Sequence, residues 1–600
     1  MKRLPRECVS MIAELLDPYS LWSLSRTSRH LQVLAKDDHA LKATLEHYAP
    51  YSTEAEDARQ SGRWAHAFRR MVKTQEALIT ASPFSVAFVA LADDYIYCNG
   101  MLCYIHPADK NLHLFHLHQS AEKEMVIDVH ELLSRDFNFP PCDKYNFRPI
   151  HYASNILSCM YTPPKSAGPS RLFVVDVGQR TSLTNHVLPF RKKLFVRNNS
   201  KHLFCGTHSE IGDDDFTRWR LEHFDITNRK WTLGYISPGD VVGGDIGATV
   251  SFEIIDDYFY AVSSSTTSDD EFARMSYYYG LRFPVSSLNS RDLQVMSKKA
   301  MRRRDYRDGP IDNRWSTLYL DKCHQTGRIE VVECLKELCD GDGRSSRTAH
   351  RTEVEFCDAS SVDAGSESED DDDGPWYLQD PVAATEKPNA GRDPSAAHRV
   401  YDDPTQSTVT FMNCFVRSWN RDCETFIDVI NSSDAVPIVR SIRRRRAIDP
   451  GTSDSDGTTN TVSYWPPQTK TDKEDQRPQP LAGILNPGGP NFSGNVSGVA
   501  DDRSILYAMD DHSVRRLVFI SFDPSIKLPG LTSWPGGPTV ASSLTASPAG
   551  ESTHQKPAQA VRPEAGLNMP QVPAWFRTVE AMSWRHSLET KAPIGFDMAN

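Results

Sequence analysis

The histidines of NLHLFHLH are the first residues whose type and spacing suggest chemistry. Strand alternation puts His116 and His118 on one face and His113 on the other, so at most two imidazoles converge from this segment. Cys98 and Cys103 are close in sequence, but no CxxC pair occurs anywhere among the 12 cysteines, so no zinc signature forms. Cys334 and Cys339 are equally loosely spaced. His130-Glu131-Leu132-Leu133 begins like a zincin helix, yet Ser134 stands where the second imidazole is needed. In VVGGDIGATV, the spacing of Gly243, Gly244 and Gly247 matches neither GxGxxG nor a P-loop. It reads as a turn leading into a strand. The sequence therefore assigns no catalytic residues, no metal ligands and no cofactor.

The elements that would position such residues are more informative. At 600 residues the chain exceeds what a single core usually supports. Its 39% hydrophobic content permits a sizeable core, while 38 prolines and a mean hydropathy of -0.49 predict long stretches outside it. The balance of 67 basic and 79 acidic residues gives a net charge of -12, which disfavours a nucleic-acid partner. Lys2, Arg3 and Arg6 precede Glu7, Glu14 and Asp17, which interrupt the apolar run a targeting peptide needs, so the N-terminus is expected to be retained. No window approaches the ~20 apolar residues of a membrane helix, and no membrane partner is expected. Reduced thiols and a cytoplasmic and/or nuclear location are expected.

Residues 1 to about 82 carry helical periodicity. Pro5 suits a first helical turn and Glu7 complements the helix dipole. Cys8, Met11, Ile12 and Leu15 follow the i, i+3, i+4, i+7 rule, and Asp17-Pro18 breaks the helix. Leu21, Leu24, Ser28 and Leu31 mark a second run, and Trp64, Phe68 and Val72 a connecting helix.

From about residue 83 the period changes to two. VAFVAL, YIYC, MLCYIH and LHLFHLH read as four strands, with Asn99-Gly100 as a tight hairpin turn. A second set of four lies in KLFVRNN through LGYI, with a turn at Asp225 to Trp231. Weaker copies follow at TVSFEIIDDYFYAV with MSYYYGLRFPV, at RWSTLYLDKCHQTGRIEVVECL, at STVTFMNCFVRSWNRDCETFIDVI and at RSILYAMDDHSVRRLVFISFD. Repeated four-stranded meanders predict a β-propeller of six or seven blades over 83–530, with a β-sandwich or two stacked β domains as the competing architecture. Residues 341–397 and about 447–500 are too polar to offset ordering entropy and are predicted disordered inserts. The tail 531–600 has the same character, apart from a predicted docking helix near 574–588.

Three charge patterns stand out. Arg443, Arg444, Arg445 and Arg446 form a basic run beside a predicted insert and are a candidate nuclear-import cluster. Lys298 to Arg307 is a second basic run, and Ser366 and Ser368 lie in an acidic tract suited to phosphorylation. Arg218, Arg220 and Arg282 are candidate contacts for an acidic or phosphorylated ligand.

The opening stretch LPRECVSMIAELLDPYSLWSLSRTSRHLQVLA resembles an F-box. Leu4, Pro5, Glu7, Ile12, Leu15, Leu16, Leu21, Leu24, Ser28, Arg29 and Leu34 fall on matching positions, while Cys8 and His30-Leu31 depart from the pattern. The resemblance places an F-box at 1–48 and a helical linker at 49–82, and texture alone likens the arrangement to fungal F-box proteins with a divergent propeller. It implies docking on Skp1, and through it a cullin, with the β domain holding an unknown protein substrate. The implied partner-binding residues are Leu4, Pro5, Ile12, Leu15, Leu16, Leu21, Leu24 and Leu31. A unit this short has more apolar positions than it can hide, which agrees with a partner covering some of them. The expected fold class is thus α + β multidomain: a small helical unit, then an all-β propeller-like domain with long insertions. The expected function is substrate recognition for an SCF-type (Skp1-cullin-F-box) ubiquitin ligase, without catalytic residues of its own. The alternatives are a non-catalytic propeller scaffold outside ubiquitination, and a propeller enzyme with acid-base groups in its channel.

Overall fold

The computed structural model describes residues 8–535 apart from breaks, the longest at 237–249, 265–274, 359–396, 402–413, 445–459 and 467–478, and beyond 535 only 579–581. Residues 11–13 are helical. Asp17 then caps the helix Pro18–Arg26, accepting from the amides of Tyr19 (3.1 Å) and Ser20 (3.0 Å). Pro18 sits in the first turn, where its missing N–H costs nothing. The Asp-Pro pair therefore ends one helix and starts the next. A 3-10 turn, Leu31–Lys36, leads to helices Asp38–Tyr48, Thr53–Ser61 and Trp64–Ile79.

These helices share one core. Leu21, Leu31, Leu34, Leu41 and Leu45 pack with Trp64, Phe68, Met71 and Val72. Burying a side chain such as Phe68 contributes ~1.5–3 kcal/mol. The segment expected as a linker thus supplies half of the helical interior.

Seven antiparallel sheets follow as the blades of a propeller: residues 94–127, 146–188, 195–231, 250–296, 317–401, 414–465 and 495–521. The innermost strands of blades 1 to 5 lie side by side in chain order, as do those of blades 6 and 7. The seventh blade takes its fourth strand from the other end of the domain, and Thr532–Trp534 pairs on the far side of that strand. Ser85–Ala92 pairs antiparallel with Arg515–Ser521, Ser85 opposite Ser521 and Ala92 opposite Arg515, which closes the ring. The strand reading of VAFVAL was right, but it belongs to the last blade and not to the first. No local pattern can reveal a partner more than 400 positions away.

Blade 2 has no counterpart among the sequence copies. Its strands Asn146–Ala153, Ile156–Thr162, Ser170–Asp176 and Thr181–Leu188 form a regular meander. Its first turn uses Ser154 and Asn155 at positive φ in place of glycine, so the usual turn signal is missing there. Asn99-Gly100 does make the expected tight turn, with φ of 45° and 86°. A Cβ on Gly100 would fall 2.2 Å from the His118 ring.

Both predicted inserts contain ordered structure. Ser345–Glu353 is the third strand of blade 5, paired with Ile329–Leu338, and Phe356–Asp358 extends the edge of blade 4. Within 447–500, Asn460–Trp465 is the outer strand of blade 6, Gln479–Leu485 is a helix and Asn495–Ala500 is the inner strand of blade 7. Their low apolar content misled the reading, because a strand can owe its place to paired polar groups. Thr348 donates to Glu337 (2.9 Å) inside blade 5, for example. Residues 359–396, including Ser366 and Ser368, lie outside the described residues. Of the expected helix at 574–588, only Val579–Ala581 is described, as a short strand parallel to Glu124–Ile127.

Candidate partner-docking surface

The eight residues implied in partner binding separate into distinct environments. Leu15 is 79% exposed and Met11, one helical turn earlier, is 66% exposed. Ile12 is half-buried, while Leu16, Leu24 and Trp22 are half-buried against the core. Tyr48 pins the turn by donating its hydroxyl to the carbonyl of Leu15 (2.9 Å), which leaves the Leu15 side chain in solvent. Leu4 and Pro5 lie outside the described residues. Leu21 and Leu31 are corrections: at 0% and 4% exposure they are interior, covered by this chain's own helices. The sequence reading assigned that cover to another protein because Trp64, Phe68 and Val72 lie more than thirty residues further on. Met11, exposed beside Leu15, was not among the implied residues, although its four-residue spacing to Leu15 was the available signal.

The helical unit is fixed to one face of the propeller. The Tyr51 amide donates to the carbonyl of His324 (3.0 Å), which lies in the turn between the first two strands of blade 5. Ser441 of blade 6 donates to the carbonyl of Ile79 (2.9 Å) at the end of the connecting helix. The His324 imidazole meets Asp422 at 2.9 Å. Burial opposes its charge, but the Asp422 hydrogen bond and charge prevail and raise its pKa to about 9. Burial pushes the Glu54 carboxyl up, opposed by Arg70 at 3.4 Å.

Arg220, Arg282 and Arg303 are held by neighbouring side chains. Arg282 lies over the rings of Tyr258 and Phe356, each 4.7 Å away, and donates to Gln294 (2.7 Å). Arg220 pairs with Glu222 at 3.2 Å, and Arg218 opposes Glu210 in its sheet. Arg303, from the run Lys298 to Arg307, is buried and donates its Nε to Glu333 (2.8 Å). Arg443 and Arg444 end the strand Pro437–Arg444 and are not part of a loop, while Arg445 and Arg446 lie outside the described residues.

Nothing in the candidate enzyme motifs assembles a reaction centre among the described residues. His130 and Glu131 sit on the helix Val129–Phe137, where Ser134 donates to the carbonyl of His130 (2.7 Å). Burial raises the thiols of Cys103, Cys159 and Cys205, and those of Cys334, Cys414 and Cys423 to about 12, so they stay protonated and inert. His118 faces Asp501 (3.2 Å), Ser504 (3.0 Å) and Tyr97 (3.0 Å), a buried network that ties blade 1 to blade 7. Among the described residues no helix is long and apolar enough to cross a membrane.

Residues 1–45 match the family model described as F-box-like. No curated protein matches the sequence. Among solved structures, the chain is similar to one in the complex of KlAtg21 with the coiled-coil of AgAtg16, at 10% identity and a TM-score of 0.30, covering 70% of this chain and 94% of that one. It is also similar to a eukaryotic initiation factor (10% identity, TM-score 0.24, covering 57% and 59%). For prolyl oligopeptidase B from Galerina marginata the values are 10% identity and a TM-score of 0.21, covering 40% of this chain and 29% of that one.

Proposed function

We propose that this chain, an F-box-like domain followed by a seven-blade propeller, is the substrate-recognition subunit of an SCF-type ubiquitin ligase. The F-box-like unit would dock on a Skp1-type adaptor, and the adaptor on a cullin. The observation that carries this reading is the exposure of Met11 and Leu15 on a helical unit whose other large apolar residues are mostly covered. Ile12, Leu16 and Leu24 would rim that patch, and Leu4 and Pro5 would extend it.

The substrate surface is assigned to the propeller face opposite the helical unit. Successive turns of a meander alternate between the two faces, and the helical unit covers the one bearing His324. The opposite face carries the loops between second and third strands and the connections between blades. Holding a protein there would raise the concentration of its lysines near a conjugating enzyme, so that proximity supplies the subunit's contribution. The same proposal includes a cytoplasmic or nuclear location, with Arg443 to Arg446 as the import signal. Co-purification of Skp1 and cullin with the full chain tests it. Skp1 without cullin would favour a scaffold role outside ubiquitination, and neither would overturn the proposal.

A further inference from the structure

The loop between the second and third strands of blade 1 gathers three metal-ligating side chains that the sequence reading did not join. His106, Asp109 and His113 each offer a ligand atom, and these atoms lie within 4.8 Å of one another. Asp109 Oδ1 is 3.3 Å from His106 Nδ1, and Asp109 Oδ2 is 3.3 Å from His113 Nε2. The backbone explains the convergence. Met101–Ile105 and Leu112–His116 pair in register, with Ile105 opposite Leu112, so the loop must double back. Lys110 at φ 57° makes that turn, and the Asn111 amide donates to Asp109 Oδ1 (3.0 Å).

The hydrogen bonding of His113 asks for a cation at this point. Its Nδ1 is 2.9 Å from Glu124 Oε2, and the other oxygen of Glu124 accepts from the Tyr104 hydroxyl (2.9 Å). An ionised carboxylate only accepts, so the ring proton belongs on Nδ1. The neutral ring then turns the lone pair of Nε2 toward Asp109, which is also an acceptor. Two acceptors facing each other need something positive between them, either a second proton on the ring or a metal ion. The 3.3 Å between Asp109 Oδ2 and His113 Nε2 fits the metal. A charge-assisted N–H to carboxylate bond is ordinarily ~2.7–2.9 Å. Two ligands at ~2.0–2.1 Å from a tetrahedral zinc ion stand roughly 3.3 Å apart. A carboxylate that holds the far nitrogen of a ligating histidine is also the usual support of such a site.

We infer that His106, Asp109 and His113 bind a zinc-class divalent ion on the propeller face opposite the helical unit, with Glu124 orienting His113. Two imidazoles and one carboxylate suit zinc, and three protein ligands leave a fourth position for water. Asp109 is 44% exposed, so the ion has a route in from solvent, while His113 beneath it is buried. Lys110, the nearest cation in the loop, is drawn away to Asp93 (2.5 Å). The inference does not rest on the ligase proposal.

The test is a zinc titration of the chelator-treated full-length protein against a chromophoric competitor, with Co²⁺ absorption as a second readout. One ion per chain and the visible bands of tetrahedral cobalt are expected. Asp109→Asn, which preserves the loop's hydrogen bond, and His106→Ala, on the outer side of the cluster, are each expected to weaken binding at least tenfold. Glu124→Gln is expected to weaken it about 10- to 100-fold. Circular dichroism identifies variants that retain the fold. No stoichiometric binding by the folded wild type, or unchanged affinity in folded Asp109→Asn, would overturn the inference.

Discussion

The main-chain amide of Tyr51 donates to the carbonyl of His324 at 3.0 Å, joining the helical unit to the turn at the rim of blade 5. The Tyr51 ring packs over Gly327, where a Cβ would fall 2.7 Å from ring atoms. Gly327 also has φ 72°, so both backbone and space require glycine there. Together with the bond from Ser441 to Ile79, this contact sets the direction in which the F-box-like unit points relative to the propeller.

The same seam predicts a pH dependence. The pKa of His324 is raised to about 9 against an ordinary value of 6.5. A group with a raised folded pKa contributes stability that is full below the unfolded value and is lost as pH rises through the folded one. Asp422→Asn should therefore lower the melting temperature relative to wild type below about pH 6.5, with the difference fading through pH 9. Thermal unfolding of both proteins across that window checks it. A constant difference would contradict the assignment.

Asp428 clamps blades 5 and 6 together. It is fully buried and accepts from Arg347 (2.7 and 2.8 Å) and from Arg440 (2.7 Å). Burial alone would raise its pKa, but the two guanidiniums outweigh it and hold the carboxyl below its ordinary range. Asp428→Ala would remove the carboxylate that two buried guanidiniums share and should cost about 3–5 kcal/mol in denaturant unfolding.

Ring closure predicts where the chain can be cut. A fragment beginning near residue 83 keeps Ser85–Ala92 and should fold as a propeller. One beginning at 93 loses the fourth strand of blade 7, which lies between Arg515–Ser521 and Thr532–Trp534, and exposes the edge at Arg515–Ser521. Expression of both fragments, with circular dichroism and size-exclusion chromatography, should give a folded monomer for the first and aggregate for the second.

Leu15 and Leu21 should respond in opposite ways. Leu21→Ala removes a core contact and should destabilise the helical unit by about 2–5 kcal/mol. Leu15→Asp changes an exposed side chain and should leave the melting temperature within about a degree of wild type.

The sequence was most legible where patterning is local. The Asp17-Pro18 boundary, the period-two strands and the Asn99-Gly100 turn all follow from neighbours within a few residues. The seven-blade count did not, because the first turn of blade 2 is made by Ser154 and Asn155 without glycine and because Ser85–Ala92 pairs across the whole domain. At the candidate docking surface, residue types alone named the apolar set but could not separate Leu15 from Leu21. That separation depends on Phe68, which lies far along the chain and fills the interior behind Leu21. The cluster of His106, Asp109 and His113 was hidden for a related reason. Strand alternation places His113 relative to His116, but only the reversal at Lys110 brings His106 and Asp109 beside it.

The central claim is adaptor docking through the exposed apolar patch, and direct binding of purified Skp1 to the full-length protein by calorimetry tests it most directly. The account predicts a saturable one-to-one complex that Leu15→Asp weakens at least tenfold while the melting temperature stays unchanged. No binding by the folded wild type, or equal affinity in Leu15→Asp, would contradict it.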